Sequence, residues 1–280
     1  MLTRRRLLQL SGGVAALGLG GGAAYGSLVE LHGLRLVRRP LPVENLPDAW
    51  VGRTIVQLTD VHVGPHVADD YLLRTFDAVA RLAPDVLVIT GDLTSDEPGI
   101  VEHAQRIYAH LPAGRLATLA ILGNHDYGRG WKDLAHADRL VAALSDRMRF
   151  LRNESIEVDG LRFFGTEDLW SEQLSLRTAL RGIEPDTPAV GLVHNPDAID
   201  LGGWGGYRGW VLSGHTHGGQ VRPPIGPPPI LPVVNRWYAS GEFEIDGGRR
   251  LYVCPGVGHA SVPIRMNCPP EVAVHTLIKA

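Results

Sequence analysis

Five stretches of this 280-residue chain carry side chains that bind metal ions: Asp60-Val61-His62, Gly91-Asp92, Gly123-Asn124-His125-Asp126, His194, and Gly214-His215-Thr216-His217. They offer carboxylates, imidazoles and one amide, and no thiolate. Oxygen and nitrogen donors of this kind suit Mn²⁺, Fe or Zn²⁺ better than a cysteine-bound structural zinc suits them. Asp60, His62, Asp92, Asn124, His194, His215 and His217 are too many for one ordinary site. They suit two ions about 3.5–4 Å apart that share one carboxylate, a pairing that activates water for hydrolysis. In Asp60-x-His62 and His215-x-His217, alternate residues of an extended segment point to the same side. Glycines beside Asp92, Asn124 and His215 let the backbone turn sharply beneath the ions. Singly, each piece has a plain alternative: a Gly-Asp is usually a turn, and His194 can cap the segment that Asn195-Pro196 begins. Order and placement carry the reading.

That placement follows from the elements in front of each stretch. Thr54–Leu58, Val86–Thr90 and Ala117–Leu122 are short apolar runs that read as strands, ending at Asp60, Asp92 and Asn124 in turn. Between them, Asp69–Leu82, Pro98–His110 and Trp131–Leu144 have helical spacing. Further strands are expected at Leu161–Gly165, Val190–His194, Trp210–Ser213, Gly241–Ile245, Leu251–Cys254 and Val272–Leu277, with a helix at Glu172–Leu180. The alternation predicts an α/β domain with two sheets, and ligands in such folds gather beyond the carboxyl ends of strands. Residues 30–52, with Pro40, Pro42 and Pro47, read as a connecting arm.

Composition narrows the classes. Net charge is −3, with 44% hydrophobic and 20% charged residues and 2 cysteines. A wholly disordered chain, a polytopic membrane protein and a disulfide scaffold are excluded, and no basic excess supports nucleic-acid binding. The basic residues that stand out are Arg4, Arg5 and Arg6, followed by 23 uncharged residues from Leu7 to Val29. This is a targeting or anchoring segment, either a signal of twin-arginine type cut near Gly26 or a retained anchor. Both alternatives put the folded domain outside the cytoplasm, handled by export machinery, with membrane association open. Seven glycines make the run a weak spanning helix.

The ordered series D-x-H, G-D, G-N-H-D, H, G-H-T-H resembles the calcineurin-like metallophosphoesterase superfamily over roughly Thr54 to Leu277. The tail, Gly214 to Gln220 followed by a proline-rich loop and then Arg265, Asn267, Pro269, Pro270 and Glu271, resembles a branch of exported or membrane-associated bacterial phosphodiesterases. Some members of that branch act on UDP-2,3-diacylglucosamine in lipid A synthesis. The resemblance implies a four-layer α/β/β/α sandwich, with residues 53–280 as the enzyme domain, 1–29 as signal or anchor and 30–52 as the arm. It implies two divalent metal ions, with manganese the expected one and Fe or Zn as alternatives. Asp60, His62, Asp92 and His217 would hold the first, and Asp92, Asn124, His194 and His215 the second. A metal-bridging hydroxide would attack a phosphodiester or pyrophosphate bond. His125 would protonate the leaving group, and Asp126 would orient His125.

The substrate would be a phosphoester, small or lipid-linked. The alternatives are an exported phosphomonoesterase acting on nucleotides or phosphoproteins, and a non-catalytic metal-binding envelope protein. The loop Pro223–Pro232 has six prolines in ten residues; its apolar side chains either meet an acyl group or pack over the second sheet. Gly202–Trp210 is a substrate lid or an ordinary loop. Arg208, Arg222 and Arg265 are phosphate contacts or solvated surface. Cys254 and Cys268 are paired or free.

Overall fold

Fourteen of the fifteen side chains in Thr54–Leu58 (β2), Val86–Thr90 (β3) and Ala117–Ile121 (β4) are apolar or Thr, and such strands need cover on both faces. The computed structural model supplies it. It describes residues 25–27, 29–260 and 262–280; the arginine cluster and most of the uncharged run lie outside the described residues. Numbered in chain order, Arg35–Val43 (β1), β2, β3, β4, Arg149–Phe150 (β5) and Glu271–Lys279 (β12) form one sheet in the order β1-β12-β2-β3-β4-β5. Strands β2 to β5 are parallel, β12 runs antiparallel to β2, and β1 is parallel to β12. The second sheet holds Glu154–Val158 (β6), Leu161–Gly165 (β7), Ala189–Leu192 (β8), Trp210–Ser213 (β9), Gly241–Ile245 (β10) and Arg249–Val253 (β11), in the order β10-β11-β9-β8-β7-β6. Its central strands are parallel and its two edges antiparallel. Both sheets are mixed.

Alternation along the strands divides the core. Ile55, Val86, Val88, Leu119 and Ile121 meet Phe163, Val190, Leu192, Trp210 and Leu212 between the sheets. Val56, Leu58, Leu87 and Ile89 face the helices instead. The helices are Asp69–Leu82 (α1), Ile100–Tyr108 (α2), Leu134–Leu144 (α3) and the single turn Leu176–Ala179 (α4). Leu72, Phe76 and Val79 of α1 fall on one stripe and are buried; burying each side chain of this size contributes about 1.5–3 kcal/mol. Helix α1 stops where Ala83 turns left-handed before Pro84. Asp69 lies in the first turn rather than at the cap, and its carboxylate accepts from His103 Nε2 of α2 at 2.8 Å.

Three expectations change. Residues 30–52 are not simply an arm, since Arg35–Val43 is a nine-residue edge strand. Pro40 and Pro42 fit because residues two apart turn their absent N–H groups to the same, unpaired edge. The helix expected at Glu172–Leu180 shrinks to α4, because Glu172 has φ 63 and no helix runs through it. The fourth layer is therefore mostly loop: Trp204 and Tyr207 of the Gly202–Trp210 stretch pack on Phe164 and bury the outer face of the second sheet. That loop is a structural cover. Strands β5 and β6 add an edge to each sheet that the sequence pattern did not mark.

One buried side chain stitches the sheets where the ligand-bearing ends converge. Gln57 Nε2 donates to Thr90 Oγ1 at 2.9 Å and to the Ser213 carbonyl at 3.0 Å, and Gln57 Oε1 lies 3.1 Å from His275 Nε2. The exits of β2, β3 and β9 are thereby held together.

Candidate metal centre

Asp60 and His62 follow β2, Asp92 follows β3, Asn124 follows β4, His194 follows β8, and His215 and His217 follow β9. All seven are buried. Asp60, His62, Asp92 and His217 each present one ligand atom within 4.8 Å of the others, and so do Asp92, His194 and His215. Asp92 belongs to both groups. Its Oδ2 lies 3.5 Å from His62 Nε2 and 3.2 Å from His194 Nε2, while its Oδ1 accepts from the His125 backbone N–H at 2.9 Å.

The backbone bends hard to do this. Asp60, His62, Asp92, His215 and His217 all have φ between 49 and 70, a region that costs non-glycine residues about 1–3 kcal/mol each. Surrounding bonds hold it: the Asp60 N–H donates to the Gly91 carbonyl and the His62 N–H to the Asp92 carbonyl, both at 3.0 Å. Glycine is required at 214, where a Cβ would sit 2.0 Å from Thr59 Oγ1 and 2.4 Å from Asp60 Oδ2.

Three of the ligands, His194, His215 and Asp60, are oriented from behind. His194 Nδ1 donates to the Thr90 carbonyl and His215 Nε2 to the Pro232 carbonyl, both at 2.8 Å. These bonds free the other ring nitrogen of each imidazole, as metal-binding histidines require. Asp60 accepts from Thr59 Oγ1 at 2.8 Å and from the His215 N–H at 3.0 Å.

Burial makes neutral rings of His62 and His215, lowering each to about 3, and with help from nearby His62 it pushes His217 well below its ordinary value. Asp60 is raised to about 6, chiefly by burial. Burial disfavours charge on His194 too, but Asp92 outweighs it and raises that ring to about 10. Asp92 itself stays well below the ordinary range despite its burial, because His194 and His125 favour its charge.

This donor set fits divalent cations. His194 turns Nε2 toward the Asp92 carboxylate 3.2 Å away while its Nδ1 is held by the Thr90 carbonyl, so a cation can take the place of the Nε2 proton between them. His62 and His217 bring their Nε2 atoms to 3.1 Å, a contact that two bare lone pairs would oppose. Asn124 Oδ1 is buried without a hydrogen-bond partner. The donors are oxygen and nitrogen; the two cysteines are free and buried elsewhere.

His125 stands beside the groups, its ring 4.9 Å from that of His62. Asp126 does not orient that ring. Its carboxylate accepts from the N–H groups of Gly123, Thr94 and Leu93 at 2.9, 2.9 and 3.1 Å, welding the turn after β4 to the one after β3. Burial, and then Asp92, raise Asp126 to about 7. The carboxylate near the His125 ring is Asp96, whose Oδ1 lies 3.9 Å from Nδ1. The sequence signal for it was its place four residues after Asp92, in the same turn.

Two tryptophans also escaped the sequence reading. Trp170 packs its edge on His215 at 4.4 Å, Trp131 lies 5.9 Å from His125, and the two indoles stack at 4.8 Å. Of the three candidate arginines, Arg208 is exposed on the surface, and the other two are engaged within the protein. Arg265 is fully buried and donates to the carbonyls of Pro255, Gly256, Gly258 and Cys268, so it is no phosphate contact. Arg222 bonds the Gly218 carbonyl and Ser240 Oγ.

Known proteins share this arrangement's sequence. The family model for calcineurin-like phosphoesterases matches residues 53–219. A "transmembrane protein with metallophosphoesterase domain" from Danio rerio is 30% identical over 271 residues, covering 89% of this chain and 59% of its own length. The "uncharacterized metallophosphoesterase YkuE" of Bacillus subtilis (strain 168) is 29% identical over 294 residues, 99% of this chain and 98% of that one. "Phosphodiesterase YaeI" of Escherichia coli (strain K12) is 29% identical over 287 residues, 99% of this chain and 100% of that one. The chain thus spans a little over half of the first relative and nearly all of the other two.

Proposed function

The chain belongs to the calcineurin-like metallophosphoesterases, dimetal enzymes that hydrolyse phosphoesters, and we propose that this one cleaves a phosphodiester or pyrophosphate bond in a substrate with an apolar group. The observation that carries the reaction is Asp92 Oδ2, faced by a histidine from each ligand group. Asp60, His62, Asp92 and His217 would hold one ion, and Asp92, Asn124, His194 and His215 the other. Manganese is the proposed metal on this sulfur-free set. Two divalent ions there supply Lewis acidity at the phosphoryl oxygens and lower the pKa of water.

The protein's own part is positioning and proton transfer. His125 Nδ1 faces Asp96, which leaves Nε2 to hand a proton to the departing oxygen. Asp126 keeps the backbone N–H of His125 on Asp92 by fixing the turn that carries both. Trp170 and Trp131 wall one side of the site, packed against His215 and His125.

The apolar part of the reading rests on a cavity of about 370 Å³ that opens beside His217 and is lined by Val221, Ile230, Val262 and Ile264. The acyl part of a lipid-linked substrate such as UDP-2,3-diacylglucosamine is the proposed occupant, and the name of the Escherichia coli relative points to diesters. We also propose that the Arg4–Arg6 cluster and the uncharged run behind it direct the domain out of the cytoplasm or tether it to the membrane; cell fractionation tests this. Among the described residues, no helix is long and apolar enough to cross a membrane.

The test strips the metals and restores Mn²⁺, Zn²⁺ or Mg²⁺, with bis(p-nitrophenyl) phosphate and p-nitrophenyl phosphate side by side. Diester cleavage that returns with metal and is absent in Asp92→Ala supports the reading. Faster cleavage of the monoester would make the protein a phosphomonoesterase.

A further inference from the structure

The four most exposed large apolar side chains among the described residues lie within one loop: Val234 at 92%, Ile225 at 90%, Trp237 at 82% and Ile230 at 79%. The next, Val262 at 58%, sits on the neighbouring segment. Pro228, Leu231 and Tyr238 of this region fold back into the protein. A flexible loop would collapse to hide such groups. This one is held open from beneath. The Asp197 carboxylate accepts from the N–H groups of Val234 and Asn235 at 2.6 and 2.9 Å. Arg236 donates to the carbonyls of Pro228 and Pro229 at 2.6 and 3.2 Å. Prolines fix much of the remaining backbone.

The loop is continuous with the place where the described chain begins. Gln220 Nε2 donates to the Val262 and Ile264 carbonyls, and the Arg222 N–H to the Met266 carbonyl. On the same segment, the Arg265 N–H donates to the Gly26 carbonyl at 3.2 Å, and the Cys268 N–H to Glu30 Oε1 at 2.6 Å. The described chain therefore begins beside this surface. Charge points the same way. The cavity of about 960 Å³ under Trp237 is lined by Arg222 and Arg236 and by no acidic residue, and the one beside His217 has no acidic residue either.

We propose that this loop docks on an anionic phospholipid bilayer. Ile225, Ile230, Val234 and Trp237 enter the interfacial layer, where tryptophan and exposed aliphatic groups partition. Arg222 and Arg236 bond only neutral acceptors and pair with no carboxylate among the described residues, so their charges remain to meet the headgroups. The opening beside His217 then faces the membrane. The loop and the start of the described chain share one face, and an uncharged N-terminal run would be the second of the two signals that stable peripheral binding requires. The proposal stands on exposed residues and does not depend on which phosphoester is cleaved.

The full chain is mixed with phosphatidylcholine–phosphatidylglycerol vesicles whose acyl chains are brominated, and tryptophan fluorescence is followed. The quenching expected is that of Trp237, so Trp237→Phe loses most of it while its circular dichroism and unfolding midpoint stay unchanged. Pure phosphatidylcholine vesicles are expected to quench less at equal lipid. Equal quenching in wild type and Trp237→Phe, or none in either, overturns the proposal and leaves the face to a protein partner. Undiminished quenching on neutral vesicles overturns the headgroup role of the arginines. None of these readouts depends on hydrolysis, so failure of the reaction assigned above would show separately.

Discussion

Gly123→Ala adds one methyl group at a position where the backbone does not need glycine. Gly123 has φ −101 and ψ 179, extended values that any residue adopts, so only space is at issue. The new Cβ would stand 2.3 Å from Asp92 Oδ1, 2.4 Å from the Asp92 backbone nitrogen and 2.7 Å from His194 Nε2. A side-chain oxygen can swing away, but the backbone nitrogen cannot. Restoring an ordinary contact means parting the two loops by about 1 Å, and a displacement of that size at reacting groups costs on the order of 10²-fold in rate. Overpacking of this kind costs about 1–3 kcal/mol of stability, which a domain this size survives. The expected variant is folded, has lost the ion shared by Asp92 and His194, and turns over a diester at least about a hundredfold more slowly. Metal per chain by inductively coupled plasma mass spectrometry, kcat on bis(p-nitrophenyl) phosphate and denaturant unfolding report the three quantities. Gly202→Ala is the control, because its Cβ meets nothing within 4 Å. Two tightly held ions and near-normal turnover in Gly123→Ala would refute the shared site.

Three further outcomes follow from the geometry. His125→Ala should lower kcat by about 10²–10⁴ with metal content unchanged; loss of metal in step with rate would make it a ligand instead. Arg265→Met leaves four buried carbonyls without their donor, so the denaturation midpoint should fall by an amount worth about 3–5 kcal/mol, and an unchanged midpoint would contradict the role given to its bonds. Burial works against ionised Asp85, yet the Thr54 N–H and the Arg115 guanidinium hold its pKa below the ordinary 3.8. Its contribution is therefore full above that value and disappears as pH falls through the lowered one, so acid unfolding of Asp85→Asn should depend less steeply on pH than wild type in that range.

The centre was legible because each ligand directly follows a run of apolar residues short enough to be a strand and too apolar for a surface. That pattern located Asp60, Asp92 and Asn124, and the pairs His62 and His217 came with it. The left-handed backbone at five of the seven positions was not legible, since nothing in Asp, His or their neighbours demands it; the sheets impose it from both sides. The partner of His125 was misassigned for a related reason. Asp126 is adjacent in sequence, but the tight turn at Asn124–Tyr127 points its carboxylate back at the turn's own start, and Asp96 reaches the ring from another loop. Prolines hid β1, because only tertiary placement at an edge makes them harmless. The sequence left the proline-rich loop open between meeting an acyl group and packing over the second sheet, because the anchors that hold it outward, Asp197 and Arg236, act through backbone groups that carry no sequence signature.

The position of β12 has a consequence for how the enzyme is made. This strand pairs from Arg35↔Glu271 to Val43↔Lys279 on one side and with β2 on the other, so a strand late in the domain fills a gap inside a sheet begun by early ones. Until it arrives, β2 carries an open edge, and the turn bearing Asp60 and His62 lacks its neighbour. Pairing across so long a stretch of chain is slow. The metal-binding rim therefore matures in one late folding step, when β12 pairs with β1 and β2.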